Sequence, residues 1–155
     1  LFGILYIILP ISLLSEFYNL SMGSYQLLLG YLILIWSFDT FAYLVGIKFG
    51  KNRLFERVSP NKSWEGFIGG AIMTIFIAYI LSYFLTNHSF AVWIPISLIV
   101  VVFGTYGDLV ESLLKRSFNT KDSSNLLPGH GGVLDRFDSV FLSSPFVYAY
   151  VMLIK

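Results

Sequence analysis

Two pairs of acidic residues, each spaced three positions apart, lie where long apolar runs meet a polar segment. Asp108 and Glu111 follow the run AVWIPISLIVVVFGTYG, and Asp135 and Asp138 precede the run VFLSSPFVYAYVMLI. Carboxylates in a chain without cysteine suit a hard cation, above all Mg²⁺, which keeps several waters and shares phosphate oxygens. The four acids therefore predict a metal site at one membrane interface.

Simpler explanations stay open for some of these acids. On a helix, positions 108, 111, 112 and 115 lie along one face, so Glu111 could form an i,i+4 ion pair with Lys115. Asp135 and Asp138 could be favoured by the dipole at the start of a helix. Neither explanation covers Asp108, which lies deeper in its apolar run.

Two further charged residues have unusual surroundings. Asp39 lies inside LILIWSFDTFAYLVG, where an acid near the centre of a spanning helix costs about 2.5–3.5 kcal/mol. It lines a cavity, pairs with a basic residue or caps a broken helix. Lys62 lies in SPNKSWEG, before the third apolar run, where Ser63 or Asn61 could cap a helix. A helix N-terminus with a lysine beside it can bind an anion, although Lys62 could also be an interfacial anchor.

The composition indicates which elements must position these side chains. Of 155 residues 56% are hydrophobic and 12% are charged, and the mean hydropathy is +0.75. A soluble domain carries about 25% charged residues, so we predict an integral membrane protein. The fold class is all-α, a polytopic helical bundle of about five transmembrane helices. The apolar stretches are residues 1–14, 26–47, 66–86, 91–110 and 139–154.

The distribution of basic residues predicts the orientation of this bundle. Lysine and arginine concentrate in residues 48–65 and 111–138, and the connections 15–25 and 87–90 contain none. Five alternating spans place both basic segments on one side, which the positive-inside bias identifies as the cytoplasm. The formal net charge of +1 gives no reason to expect a nucleic-acid partner.

Small residues recur at helical spacing in two neighbouring apolar stretches. Ala42, Gly46 and Gly50 belong to the second stretch, and Gly66 and Gly70 begin the third. Such spacing lets helix backbones approach closely. We therefore predict that these positions serve close helix packing.

The segment SLLKRSFNTKDSSNLLPGHGGVLDRFD, residues 112–138, resembles the signature of the phosphatidate cytidylyltransferase family. DTFAYLVGIKFGKNRLF (39–55) and SPNKSWEG (59–66) are also similar to this family. The resemblance covers about residues 30–150 and implies one transmembrane catalytic domain, residues 1–155, as the C-terminal part of a longer chain. The matched signature positions are Ser112, Lys115, Arg116, Lys121, Asp122, Ser124, Pro128, His130, Gly131, Gly132, Asp135, Arg136 and Asp138.

The resemblance implies a reaction in which CTP and phosphatidic acid give CDP-diacylglycerol and pyrophosphate with Mg²⁺, a second cation being an option. Asp108 and Asp135 are then the expected principal metal ligands, with Glu111 and Asp138 in or beside the coordination sphere. Lys115 and Arg116 complete the expected catalytic set. The expected substrate-binding residues are Asp39, Lys62, Ser63, Lys121, His130, Gly131, Gly132 and Arg136.

The same resemblance implies CTP, phosphatidic acid and membrane lipids as partners, with a homodimer as an open option. The expected location is a bacterial cytoplasmic membrane, with the active site facing the cytoplasm and an organelle membrane as the alternative. A CTP-dependent lipid-alcohol kinase is a close rival, since it resembles this family in its membrane setting and its nucleotide. It would transfer the terminal phosphoryl group and release CDP rather than pyrophosphate. A transporter is a rival of another class and predicts acids buried along several spans, whereas all but Asp39 cluster near one interface.

Overall fold

The structure is a computed structural model that describes residues 4–20, 25–56, 58–85, 89–117 and 134–154. A π-helical turn, Ile4–Ile8, leads into α1 (Leu9–Leu20), which is followed by α2 (Gln26–Phe49). A short hairpin of β1 (Arg53–Phe55) and β2 (Ser59–Ser63) comes next. The chain then forms α3 (Trp64–Phe84), α4 (Phe90–Ser117) and α5 (Leu134–Ile154).

Within the described residues, four helices are long and apolar enough to cross a membrane. The candidate spans are Gln26–Phe49, Trp64–Phe84, Phe90–Ser117 and Phe137–Ile154, and a shorter apolar helix covers Leu5–Phe17. This result confirms the predicted helical membrane bundle. Helices α4 and α5 are longer than their apolar stretches, since α4 continues to Ser117 and α5 begins at Leu134. Polar residues that sequence patterns assign to loops there belong to helix ends.

The core lies between α2, α4 and the C-terminal half of α5. Tyr31, Trp93 and Val147 are fully buried there, and the Tyr31 hydroxyl lies 2.7 Å from the Ser143 hydroxyl oxygen. Phe17 of α1 packs edge-on against Tyr31, with ring centroids 5.4 Å apart. Aromatic and β-branched packing therefore fixes the middle of the bundle, away from the charged residues.

Helices α2 and α3 approach each other through their small residues. A Cβ atom on Gly66 would lie 2.6 Å from the Ala42 carbonyl oxygen and 3.1 Å from Gly46 Cα, and one on Gly70 would lie 2.9 Å from Ala42 Cβ. Larger side chains at these positions would push the helices apart. The prediction that the small residues serve close helix packing is confirmed, and the structure identifies α2 and α3 as the two partners.

The β1–β2 hairpin was not predicted from the sequence. Its strands pair antiparallel, with Arg53 opposite Ser63 and an irregularity before Phe55. The Glu65 carboxylate, in the first turn of α3, accepts hydrogen bonds from the Lys51 and Asn52 backbone N–H groups (3.1 and 3.3 Å) and from Asn52 Nδ2 (2.8 Å). Trp64 N–H also donates to the Asn52 carbonyl at 3.0 Å. These bonds fix the hairpin on the start of α3.

Chain direction brings four helix ends together beside this hairpin. Helix α2 runs towards the hairpin and α3 runs away from it; α4 returns and α5 departs again. The C-terminal part of α4 packs on the start of α5, where a Cβ atom on Gly107 would collide with the Asp138 carbonyl oxygen. One end of the bundle therefore collects the charged residues singled out in the sequence.

Candidate active site

Three carboxylates from two helices form the centre of this charged end. Asp108 and Glu111 lie almost one turn apart on α4, and Asp138 lies in the first turns of α5; each offers an oxygen, and these atoms all lie within 4.8 Å of one another. The missing side chain at Gly107 permits the approach of α5 that brings Asp138 to this position. The Asp138 carboxylate also accepts a hydrogen bond from Ser139 N–H at 2.7 Å, which orients it.

Two lysines neutralise part of this negative charge. Lys62 of β2 forms an ion pair with Asp108. Lys115 Nζ lies 2.7 Å from a carboxylate oxygen of Glu111, which is 4% exposed. The i,i+4 pair considered from the sequence is therefore present, and Asp108 has a partner that comes from a different element.

The carboxylates and lysines line one cavity of about 1140 Å³. Its polar wall is the hairpin with Ser59, Asn61 and Lys62, and its apolar wall is a face of α2 that includes Trp36 and Tyr43. Asp39 lies on the same helix and also lines the cavity, in agreement with the cavity interpretation of this residue. A charged centre is thus joined to an apolar wall within a single space.

The donor set fits a divalent cation. Carboxylate oxygens are the ligands that Mg²⁺ and similar hard cations prefer, and oxygens this close together repel one another unless positive charge lies between them. Asp108, Glu111 and Asp138 are therefore the described residues able to hold such an ion. Their roles as ligands stay a prediction.

The other predicted site residues fall into three groups. Ser63 is buried in the cavity wall, and its Oγ accepts a hydrogen bond from Gly66 N–H at 3.1 Å, so it caps α3. Arg116 is exposed on α4 and is not among the residues that line the cavity. Lys121, His130, Gly131 and Gly132 lie outside the described residues, and the side chains of Asp135 and Arg136 at the start of α5 do too.

Several cavity residues were not singled out from the sequence. Arg53, Thr105 and Ser139 line the same space. The dense basic character of residues 48–65 is the signal that could have pointed to Arg53, but the register of the hairpin was needed to place it. Thr105 and Ser139 carry no such signal, because small hydroxyl residues are common inside helices.

Fold and site together define an integral membrane protein whose spanning helices enclose an acidic and basic pocket near one end of the bundle. The family model described as the cytidylyltransferase family matches residues 1–154. The chain belongs to the cytidylyltransferase family.

Bacterial relatives are similar over most of this chain. The phosphatidate cytidylyltransferase of Bacillus subtilis is 47% identical over 117 residues, which are 75% of this chain and 44% of that protein. Those of Haemophilus influenzae and Staphylococcus aureus are each 46% identical, over 125 and 127 residues, or 77% and 81% of this chain and 43% and 48% of those proteins. The chain spans less than half the length of these relatives.

Proposed function

We propose that this chain is the catalytic part of a phosphatidate cytidylyltransferase, which uses CTP and phosphatidic acid to make CDP-diacylglycerol and pyrophosphate. The observation that carries this proposal is the meeting of three carboxylates and two lysines in a cavity with an apolar wall. The names of the relatives and the signature in residues 112–138 support the same reaction.

The obstacle in such a reaction is electrostatic. An oxygen of the phosphatidate phosphate forms a bond to the α-phosphorus of CTP, while the bond from that phosphorus to the bridging β-phosphate oxygen breaks and pyrophosphate leaves. The attacking monoester is largely dianionic at neutral pH, so no strong general base is needed. The charge of the approaching phosphates must instead be neutralised and their geometry held in line.

The residues of this chain are suited to that task. Asp108, Glu111 and Asp138 would hold Mg²⁺, which when bound supplies charge neutralisation at the phosphates. Lys62 and Lys115 would bind phosphate oxygens beside these carboxylates. The apolar wall on α2, with Trp36 and Tyr43, would accommodate the lipid part of phosphatidic acid.

We further propose that this site faces the cytoplasm of a bacterial cytoplasmic membrane. Lys48, Lys51 and Arg53 stand at the same end of the bundle as Lys115 and Arg116. The positive-inside bias favours the cytoplasm for that end, and CTP is a water-soluble cytoplasmic nucleotide. The bacterial source of the relatives supports the choice of membrane.

The test uses the full chain purified in detergent, phosphatidic acid, Mg²⁺ and CTP labelled separately at the α- and γ-phosphates. We expect α-label in the lipid and γ-label in pyrophosphate. Asp108→Asn should lower the rate by about 100-fold, because it removes a charged metal ligand or its close neighbour. Glu16→Gln is the matched control, since Glu16 is exposed on α1 and bonds only Asn19 among the described partners. Transfer of γ-label to a lipid alcohol would contradict the proposal.

A further inference from the structure

Arg53 is a cavity residue to which the foregoing proposal gives no role. It lies on β1, pairs with Ser63 across the hairpin, and lines the cavity together with Lys62. Its side chain is exposed, so the guanidinium is accessible to a solute entering from water. Its position on the hairpin places it on the polar wall of the cavity, which Trp36 and Tyr43 of α2 also line.

The cationic residues that line the cavity differ in how their charges are balanced. Lys62 is paired with Asp108, and Lys115 is paired with Glu111. In the part of the chain that the structure describes, Arg53 forms no ion pair with a carboxylate. Its positive charge is therefore available to an incoming anion without first breaking an internal pair.

The hairpin that carries Arg53 is held rigidly at its base. Glu65 accepts hydrogen bonds from the backbone of Lys51 and Asn52, directly before β1. Ser63, the partner of Arg53 in the strand register, is fixed as the cap of α3. A binding group mounted on a fixed backbone loses less conformational entropy when it engages its ligand.

We propose that Arg53 is a phosphate-anchoring residue of this cavity, which binds a substrate phosphate through its guanidinium. This inference rests on the proposed function and adds a binding contact to it. Arginine suits the task because its planar fork of N–H donors matches phosphate oxygens in pairs. The phosphate could belong to the triphosphate of CTP or to the headgroup of phosphatidic acid, and the experiment distinguishes the two.

The experiment compares the wild-type chain with Arg53→Gln, Arg53→Lys and Lys51→Gln. Lys51 is an exposed neighbour outside the cavity lining, which makes it the matched control. We expect Arg53→Gln to raise one KM by about tenfold, the loss expected for a hydrogen bond to a charged group, while kcat changes by less than about threefold. Arg53→Lys should restore part of the loss, because it keeps the charge but not the paired geometry.

The KM that changes identifies the phosphate. A rise for CTP, accompanied by weaker binding of inorganic pyrophosphate in calorimetric titrations, assigns Arg53 to the triphosphate. A rise for phosphatidic acid alone, with pyrophosphate binding unchanged, assigns it to the lipid headgroup.

Two other results would overturn either the role of Arg53 or the proposed function. Unchanged KM values and unchanged pyrophosphate binding in a folded Arg53→Gln protein would overturn the inference while leaving the proposed function intact. Absence of cytidylyl transfer in both the wild-type and Lys51→Gln proteins would instead contradict the proposed function. Circular dichroism in detergent would establish folding, and Arg53→Lys provides a second variant if Arg53→Gln fails to fold.

Discussion

At the scale of single residues, Lys62 and Lys115 bind the same carboxylates that a divalent cation would use. Lys62 pairs with Asp108 and Lys115 with Glu111, so the pocket is partly neutralised before any ligand enters. A cation that bound these oxygens would compete with the ammonium groups. Displaced lysines would then be free to bind phosphate, which links cation binding to substrate binding.

This competition predicts the effect of Lys62→Met on metal affinity. The Lys62–Asp108 pair is partly exposed, and such pairs contribute up to about 1 kcal/mol, so its loss should tighten Mn²⁺ binding by up to about fivefold. Titration of Mn²⁺ by electron paramagnetic resonance in detergent measures this change without requiring activity. Lys51→Met is the control. Weaker Mn²⁺ binding in Lys62→Met would show that the lysine supports the cation instead of competing with it.

Residue patterns in the sequence predicted part of this site. The i,i+4 spacing placed Glu111 beside Lys115, and the apolar surroundings of Asp39 indicated a cavity as one alternative. The contact between Lys62 and Asp108 could not be derived, because the two residues are separated by an entire helical span and their meeting depends on how α3 and α4 pack. The position of Arg53 was missed because it depends on the register of the hairpin.

At the scale of elements, the separation between α4 and α5 determines where Asp138 lies. Gly107 has no room for a Cβ atom, because the Asp138 carbonyl oxygen occupies that space. Gly104, one turn earlier on the same face, differs: its Cβ would make an ordinary contact, 3.6 Å from Ser139 Cβ. Two glycines on one helix thus have unequal structural importance.

Gly107→Ala should therefore damage both stability and activity, whereas Gly104→Ala should be tolerated. Overpacking against rigid backbone costs about 1–3 kcal/mol, and the displacement of α5 would move Asp138 away from Asp108 and Glu111. Thermal unfolding in detergent and cytidylyl transfer by the labelled-CTP assay measure the two effects. Equal behaviour of the two variants would show that the helices adjust without cost.

The elements themselves were predictable to different degrees. Long apolar runs predicted the spanning helices, and small residues at helical spacing predicted close helix packing, although only the structure shows that α2 and α3 are the partners. The hairpin has strands of three and five residues and includes Pro60, so neither has a recognisable strand pattern. The hairpin is stabilised by the hydrogen bonds that the Glu65 carboxylate accepts from backbone N–H groups 13 and 14 positions away. Local secondary-structure propensity does not predict such contacts.

At the scale of the whole molecule, basic residues concentrate at one end of the bundle, and the described residues at the opposite end include no lysine or arginine. Lysine and arginine residues lie in the hairpin and at the C-terminal ends of α2 and α4. Ser89, directly before α4, lies at the opposite end of the bundle. This asymmetry was evident in the sequence, because it depends only on the order of the spans and the positions of charges.

The proposed orientation can be tested with single cysteines, since the natural chain has none. Glu56 in the hairpin turn and Ser89 are both exposed. In spheroplasts, a membrane-impermeant maleimide should label the Ser89→Cys protein and should label the Glu56→Cys protein only after the membrane is permeabilised. The reverse pattern would place the site on the outer side and contradict the proposed use of cytoplasmic CTP.

The Lys62–Asp108 pair also has a consequence for biogenesis. Asp108 lies nine residues before the end of α4, about 14 Å along the helix axis, so a nascent α4 must carry an acid below the membrane surface. The cost is up to about 2.5–3.5 kcal/mol, the value for an acid at a helix centre. Lys62 is synthesised before Asp108 and stands at the start of the preceding span, so the counter-charge is present when α4 inserts. The order of these two residues along the chain therefore favours insertion of α3 and α4 as a pair, and a chain without Lys62 should accumulate in the membrane less efficiently.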